Sequence, residues 1–277
     1  MQETDTQKSL EDFEVVLIGC GKMGGALAEG AVESGSLEPS QLVLIDRDAA
    51  RVDALAERLD AVSGPVERDD DTPRLWIVAV KPKDVSEAIA AHRSHFAPGD
   101  LLVSIAAGVD LDTLRADCGD EIALARAMPN TPALVGRGVT GLMGQGEADI
   151  AAAVELFEGV GSVVVLDDER HFDPLTAVSG SGPAYVFVAL EALADGAVAM
   201  GLPRKAAREL ALQTVAGAAA LVEAQPDKHT AELKDAVASP GGTTIAGLAA
   251  LEEHGFRRAL IGAVEAAAQR SREMGEK

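Results

Sequence analysis

The run "EVVLIGCGKMG", residues 14–24, decides how the first half of the chain folds. Val15 to Ile18 are all β-branched or leucine, the composition of a strand buried on both faces. Gly19-Cys20-Gly21-Lys22-Met23-Gly24 then fits G-x-G-x-x-G, and helical spacing begins at once in "KMGGALAEGAVESG" (22–35). In that setting Gly19 permits the tight turn, Gly21 lets a pyrophosphate approach the backbone, and Gly24 lets helix and strand pack closely. The free N–H groups at the helix start, with the positive end of its dipole, hold phosphates. Asp46 closes the next apolar run, "LVLID" (42–46), where the ribose-binding acid belongs. Together these features predict a dinucleotide site. Asp46 would accept a hydrogen bond from a ribose 2′-hydroxyl and repel a 2′-phosphate, whereas its neighbour Arg47 would pair with that phosphate. NADH and NADPH therefore both stay open.

Outward from this run the pattern repeats. "LWIVAV" (75–80), "LLVSI" (101–105), "IALARAM" (122–128) and "SVVVL" (162–166) read as buried strands, with helical stretches such as "DAARVDALAERL" (48–59) and "KDVSEAIAAHRSH" (83–95) between the earlier ones. Strand–helix alternation of this kind predicts an α/β Rossmann-type doubly wound parallel sheet. After "DDERHFDP" (167–174) no strand is expected, and Ala, Leu, Glu and Val recur at helical spacing to the end. Gly201-Leu202-Pro203 reads as a helix stop followed by a new start. The expected organisation is a disordered leader at 1–13, a dinucleotide-binding domain at 14–170 and an all-α domain at 171–277.

Three loops lie at strand ends, the edge where open α/β sheets bind ligands. In "VAVKPKDV" (78–85), Pro82 turns the chain over that edge and Lys81 is a candidate cation. In "SIAAGVD" (104–110), Ala106, Ala107 and Gly108 are small enough for a flat nicotinamide or ribose to lie against backbone. "RAMPNTPALVGRGVTGL" (126–142) is expected to be a rigid loop where substrate meets cofactor.

The bulk numbers exclude several classes. With 24 basic residues against 45 acidic ones and a net charge of -21, the chain lacks the basic face that nucleic acid needs. No uninterrupted apolar run reaches the roughly 18 residues of a membrane span. The polar, acidic start is no secretory signal, so a cytoplasmic protein is expected. Cys20 and Cys118 form neither a CxxC pair nor a Cys/His cluster, so no disulfide and no metal is expected. Residues 185–199 and 210–222 are apolar around more than one helical face and call for burial through subunit association.

One interruption in the helical half stands out: "VASPGGTTIAGL" (237–248). Pro and Gly are costly inside a helix, so this segment reads as a break followed by a helix N-terminus near Thr243. Backbone N–H groups exposed by Gly241 and Gly242 would bind an anion, such as a carboxylate, without any Arg or Lys. Thr243 and Thr244 either hydrogen-bond that ligand or cap the helix. The five histidines lie outside these loops and are expected at the surface, and no His/Asp relay is evident.

Taken together, the motifs resemble pyrroline-5-carboxylate reductase. The matching segments are "IGCGKMG", "AVKP", "SIAAGV", "RAMPNTPALVGRGVTGL", "AVSGSGPAYVF", "ALADGAVAMGLPR", "ELKD" and "ASPGGTTIAGLAALEEHGFR", in the family's order over nearly the whole chain. The resemblance implies reduction of 1-pyrroline-5-carboxylate to L-proline by NADPH or NADH. It further implies a Rossmann domain followed by a helical dimerisation domain, assembled as a homodimer or a ring of dimers. By the match, Gly19, Cys20, Gly21, Lys22, Met23 and Gly24, then Ala79, Val80, Lys81 and Pro82, then Ala106, Ala107 and Gly108, line the cofactor. Ser239, Gly241, Gly242, Thr243 and Thr244 contact the substrate, with Thr244 placed to hydrogen-bond the ring nitrogen. The chain departs from the pattern at Asp46, where NADP-preferring members often carry a small hydroxyl residue, and at Thr230, which replaces a common proline. Two other readings stay open on the residues: a β-hydroxyacid dehydrogenase using Lys205 or Lys234 as base, and a non-catalytic nucleotide sensor.

Overall fold

A computed structural model describes residues 8–64, 71–146 and 148–275. It divides into two compact units: the residues up to Gly180 joined by those from Ala267 onward, and Ser181–Ala266. The expected leader lies outside the described residues as far as residue 7. From Lys8 the chain is packed, with Leu10 buried and its N–H donating to Glu155 Oε2 at 2.7 Å.

The first unit is built on eight strands: β1 Glu14–Ile18, β2 Leu42–Ile45, β3 Val62–Ser63, β4 Arg74–Val78, β5 Leu101–Ser104, β6 Ala123–Met128, β7 Gly138–Gly144 and β8 Gly161–Val165. They form one sheet in the order β3-β2-β1-β4-β5-β6-β7-β8. Five helices of ordinary length connect them: α1 Lys22–Glu33, α2 Ala49–Leu59, α3 Val85–His92, α4 Leu111–Cys118 and α5 Ala151–Glu158. Because side chains alternate across a strand, each central strand feeds two cores. Val15 and Leu17 of β1 join Leu75 and Ile77 of β4 under α1, α2 and α5, while Val16 and Ile18 join Trp76 and Val78 under α3 and α4. This is the doubly wound arrangement, with the expected strands in place.

Two features depart from the expectation. The segment 126–142, expected as a loop, holds most of β7, and β7 runs antiparallel to β6 before pairing in parallel with β8. The sheet is therefore parallel except at that one junction. Glycines hid the strand, since they are poor strand formers and usually mark close approach. Here they are required: a Cβ on Gly141 would sit 2.2 Å from Leu175 Cδ1, and one on Gly138 would sit 2.9 Å from Ala133 Cβ. Second, the linking segment is helical. A short helix α6, Phe172–Leu175, runs into a π-turn at Thr176–Gly180. Buried Asn130, from the loop after β6, pins that turn: its Nδ2 donates to Ser179 O at 3.0 Å while its Oδ1 accepts from Val139 N–H at 2.9 Å.

The second unit contains α7 Gly182–Ala199, α8 Arg204–Glu223, α9 Thr230–Ala236, α10 Thr243–Glu253 and most of α11 Phe256–Gly275. The expected stop is real: α7 ends at Ala199, Gly201 takes φ +99°, and Pro203 caps the start of α8. The buried apolar cluster of this unit, among the described residues, is Ala194, Ala207 and Ala211, with Leu190, Ala197 and Val198 partly buried against it. Phe187, Val188, Leu193, Leu210 and Ile261 are all exposed. The helical run Glu169–Ala199 is also long and apolar enough to cross a membrane by length and composition, with 11% of its most apolar window buried.

A candidate dinucleotide site and a candidate anion site

The glycine fingerprint sits between β1 and α1, and its three glycines have three separate reasons to lack a side chain. Gly19 takes φ +107°, and a Cβ there would meet Ala79 O at 2.7 Å. Gly24 faces back on the same turn, where a Cβ would lie 2.0 Å from Gly19 O. Gly21 is different: nothing lies within 4 Å of its missing Cβ. Its space is open. Gly21 is also the N-cap of α1, makes no side-chain cap, and leaves the first-turn N–H groups of Lys22, Met23 and Gly24 without an intrahelical partner. Tight packing on two sides and an open, donor-rich third suit the pyrophosphate of a dinucleotide.

A cleft of about 570 Å³ opens beside this turn. It is lined by Ile18, Gly19 and Gly21 at the end of β1, Ile45, Asp46 and Arg47 at the end of β2, and Ala79, Val80 and Lys81 after β4. A second, open depression on the other side of the turn is lined by Cys20, Gly21, Lys22 and Arg51 among others. Met23 packs against the core and Pro82 begins a 3-10 turn. Ala106 is buried, Ala107 is half-buried and Gly108 is exposed. They follow β5, next to β4 in the sheet, and do not line the cleft itself.

Asp46 is held rather than free. Its Oδ2 accepts from Cys20 N–H at 2.8 Å and its Oδ1 from Asp48 N–H at 2.9 Å. Burial, and then the charge of Asp46, push the Cys20 thiol up to about 11. That thiol stays protonated at neutral pH and is no nucleophile.

Sequence reasoning missed one wall of the cleft. Asp84, Glu87, Ala88, Ala91 and His92 also line it. Asp84 is the N-cap of α3 and the other four lie on the helix at helical spacing, so one face of α3 was readable once the helix was placed at the cleft. His92 and His95 are half-buried instead of at the surface, and burial, followed by the nearby His95, lowers the pKa of His92.

In the second unit, Ser239 to Thr244 form the expected break. Gly241 takes φ +68°, Gly242 N–H donates to Ser239 O at 2.9 Å, and α10 starts at Thr243 with Gly242 as N-cap. Gly242 has no side chain to offer and no side-chain cap is made. Thr243 and Thr244 lie inside the first turn, so neither caps the helix. Ser239 and Thr243 are exposed and Thr244 is half-buried. The first-turn N–H groups of this 11-residue helix thus remain available to an anion. Nearby, α9 begins at Thr230, the first helical position, where proline would also fit, and His229 Nδ1 caps it by accepting from Ala231 N–H at 3.1 Å. Among the described residues, no group of three or more His, Cys, Asp or Glu could hold a metal ion.

Residues 169–274 match the family described as pyrroline-5-carboxylate reductase dimerisation, and residues 14–108 match that of NADP oxidoreductase, coenzyme F420-dependent. A pyrroline-5-carboxylate reductase from Arabidopsis thaliana is 44% identical, over 96% of this chain and 97% of that protein. Among solved structures, a pyrroline-5-carboxylate reductase from Coxiella burnetii gives a TM-score of 0.88 at 30% identity, covering 95% and 98% of the two chains. A Plasmodium falciparum pyrroline carboxylate reductase with NADP bound gives 0.77 at 30% identity, covering 94% and 99%.

Proposed function

The chain belongs to the pyrroline-5-carboxylate reductase family, and from that premise we propose that it reduces 1-pyrroline-5-carboxylate to L-proline, using NADH or NADPH. The observation that carries this reading is the presence in one chain of an open glycine cradle and an uncapped helix start whose segment, residues 237–248, contains no Lys or Arg. The first unit binds the cofactor through Gly19 to Gly24, Asp46 or Arg47, and the strand-end residues Ala79 to Pro82 and Ala106 to Gly108. When bound, the reduced nicotinamide supplies a hydride to the C=N carbon.

The second unit provides the substrate's anchor. Ser239, Gly241, Gly242 and Thr243 hold the carboxylate with backbone and hydroxyl donors at the positive end of α10. The Thr244 hydroxyl hydrogen-bonds the ring nitrogen. A cyclic imine that arrives protonated carries its own proton, so hydride addition needs no acid relay. Positioning of the two reactants then supplies the larger part of the acceleration, on the order of 7–11 kcal/mol. The alternative base for an alcohol finds little support: Lys234 pairs with its neighbour Asp235, and Lys205 lies in a groove between α7 and α8.

The helical unit, residues 171–277 by the sequence boundary, serves substrate binding and dimerisation. Its exposed Phe187, Val188, Leu193 and Leu210 are covered by a second copy in a homodimer, or in a ring of dimers. A membrane is not required for that burial, and the compartment is the cytoplasm. Elution at a strictly monomeric mass would overturn the assembly. For the reaction, oxidation of NADH and NADPH is followed with synthetic 1-pyrroline-5-carboxylate; no turnover with either cofactor overturns the assignment.

A further inference from the structure

We propose that Asp84 and Glu87, which lie outside the glycine fingerprint, set this chain's choice of cofactor toward NADH by holding Arg47. The proposal rests on the reading of the cleft as the cofactor site of the reductase. A 2′-phosphate carries about −1.5 to −2 charges at neutral pH and needs a cation that is open to it. Two arginines stand where that phosphate would arrive, and both are taken. Arg47 Nη2 lies 3.4 Å from Asp84 Oδ1 and 3.3 Å from Glu87 Oε2. Arg51 lies 3.4 Å from Asp46 Oδ2 and 3.3 Å from Asp48 Oδ2.

Each guanidinium therefore faces two carboxylates. A phosphate added to either group meets an excess of negative charge, and must compete for donors already shared. Lys81 and Lys83 line the same cleft on the β4 side. Neither is part of the β2 turn, where the ribose-binding acid sits.

A ribose diol is neutral and meets none of this repulsion. Asp46 can receive it, because a carboxylate offers about four lone-pair sites and this one already accepts from Cys20 N–H, Asp48 N–H and Arg51. The backbone donors fix its orientation, and the side chain keeps 14% of its surface exposed. Geometry thus separates two roles that adjacent residues made ambiguous in the sequence: Asp46 is oriented by backbone donors toward the ribose, while Arg47, on the same cleft, is engaged by Asp84 and Glu87 at the start of α3. The pairs on Arg47 are long, with Arg47 and Glu87 exposed and Asp84 half-buried, so neutralising the two carboxylates releases the guanidinium without removing a fully buried contact.

Dissociation constants for NADH and NADPH, measured by calorimetry without substrate, test the idea in the wild type, in Asp84→Asn/Glu87→Gln, and in that double variant with Arg47→Ala added. The wild type is expected to bind NADH at least about tenfold more tightly. The double variant should narrow that ratio by about tenfold, chiefly by tighter NADPH binding, and Arg47→Ala should restore it. NADPH binding as tight as NADH in the wild type would overturn the proposal, as would a ratio that the double variant leaves within twofold. Those results leave the reductase reading standing, since both cofactors bind. Binding of neither cofactor overturns the reading and the proposal together.

Discussion

Replacing Gly21 and Gly24 separately by alanine should split cofactor binding from fold stability. The two glycines stand three positions apart on one turn, yet their surroundings are opposite. At Gly24 the new Cβ would lie 2.0 Å from the carbonyl oxygen of Gly19 and 3.1 Å from Ala79 Cβ. The nearer neighbour is backbone and cannot rotate aside, so α1 must move away from β1. Overpacking of this kind costs about 1–3 kcal/mol or more. For a chain of this size each kcal/mol lowers the melting temperature by about 2–4 °C, so Gly24→Ala should melt up to about 12 °C early.

At Gly21 the backbone has φ −71° and ψ −168°, which alanine adopts without strain, and the space is empty. Only the loss of a favourable N-cap residue remains, about 0.5–1 kcal/mol. The methyl group nevertheless occupies the volume through which a pyrophosphate reaches the first-turn N–H groups. Gly21→Ala should therefore melt within about 4 °C of the wild type while binding NADH and NADPH at least about tenfold more weakly. Thermal unfolding without ligand and titration of nicotinamide fluorescence read the two effects independently. Wild-type cofactor affinity in Gly21→Ala would refute the placement of the pyrophosphate, and a Gly24→Ala protein as stable as wild type would refute the packing.

Further consequences are as direct. Thr244→Ala should lower kcat for 1-pyrroline-5-carboxylate by roughly 10- to 100-fold, the worth of one hydrogen bond to a charged group, and leave cofactor affinity nearly intact; unchanged kinetics would deny Thr244 a role at the nitrogen. Asn130→Ala should destabilise by about 2–4 kcal/mol, because Val139 N–H and Ser179 C=O each lose a buried partner; a loss below about 1 kcal/mol by denaturant titration would mean the π-turn is held by other contacts. Asp110 caps α4, and its hydrogen bonds to Thr113 lower its pKa. Its charged cap contributes stability above the unfolded carboxylate pKa and loses it as pH falls through the lower folded value. The advantage of wild type over Asp110→Asn should therefore fade in acid, and an advantage that grows on acidification would contradict the assignment. Burial pushes the Cys20 and Cys118 thiols up to about 11 and about 12, so native protein at pH 8 should resist a thiol reagent that labels the denatured chain rapidly. Fast native labelling at Cys20 would show the glycine turn open, and at Cys118 the end of α4.

The parts legible from the sequence were those with a strong local period or a tight turn. Glu14 to Gly24 carried strand, turn and helix in a single run, and Gly201-Leu202-Pro203 marked a helix boundary in the same way. β7 was not legible, because its glycines are chosen for what lies across from them, Leu175 and Ala133, and a one-dimensional reading does not contain that neighbour. The wall of the cleft on α3 was hidden for a related reason: Asp84 and Glu87 read as ordinary solvated charges until β2 and β4 are seen on either side of β1. Asp46 and Arg47 were both visible, but the pairing of Arg47 with Asp84 and Glu87, about 40 residues away, was not. The loop at Ser239–Thr244 lay between. Its break and new helix start followed from composition, whereas the choice between a capping and a first-turn threonine needed the position of Gly242.

The second unit's small interior has a consequence for folding itself. A buried cluster of three alanines, with Leu190, Ala197 and Val198 only partly buried against it, offers little hydrophobic stabilisation against the conformational entropy of ordering some 86 residues. The missing burial lies on the outward faces of α7 and α8, so for these helices association and folding become a single equilibrium. Dilution should then act as a denaturant. The unfolding midpoint of this half of the molecule should rise with protein concentration, and amide exchange along α7 should quicken as the sample is diluted, while the sheet of the first unit keeps its protection.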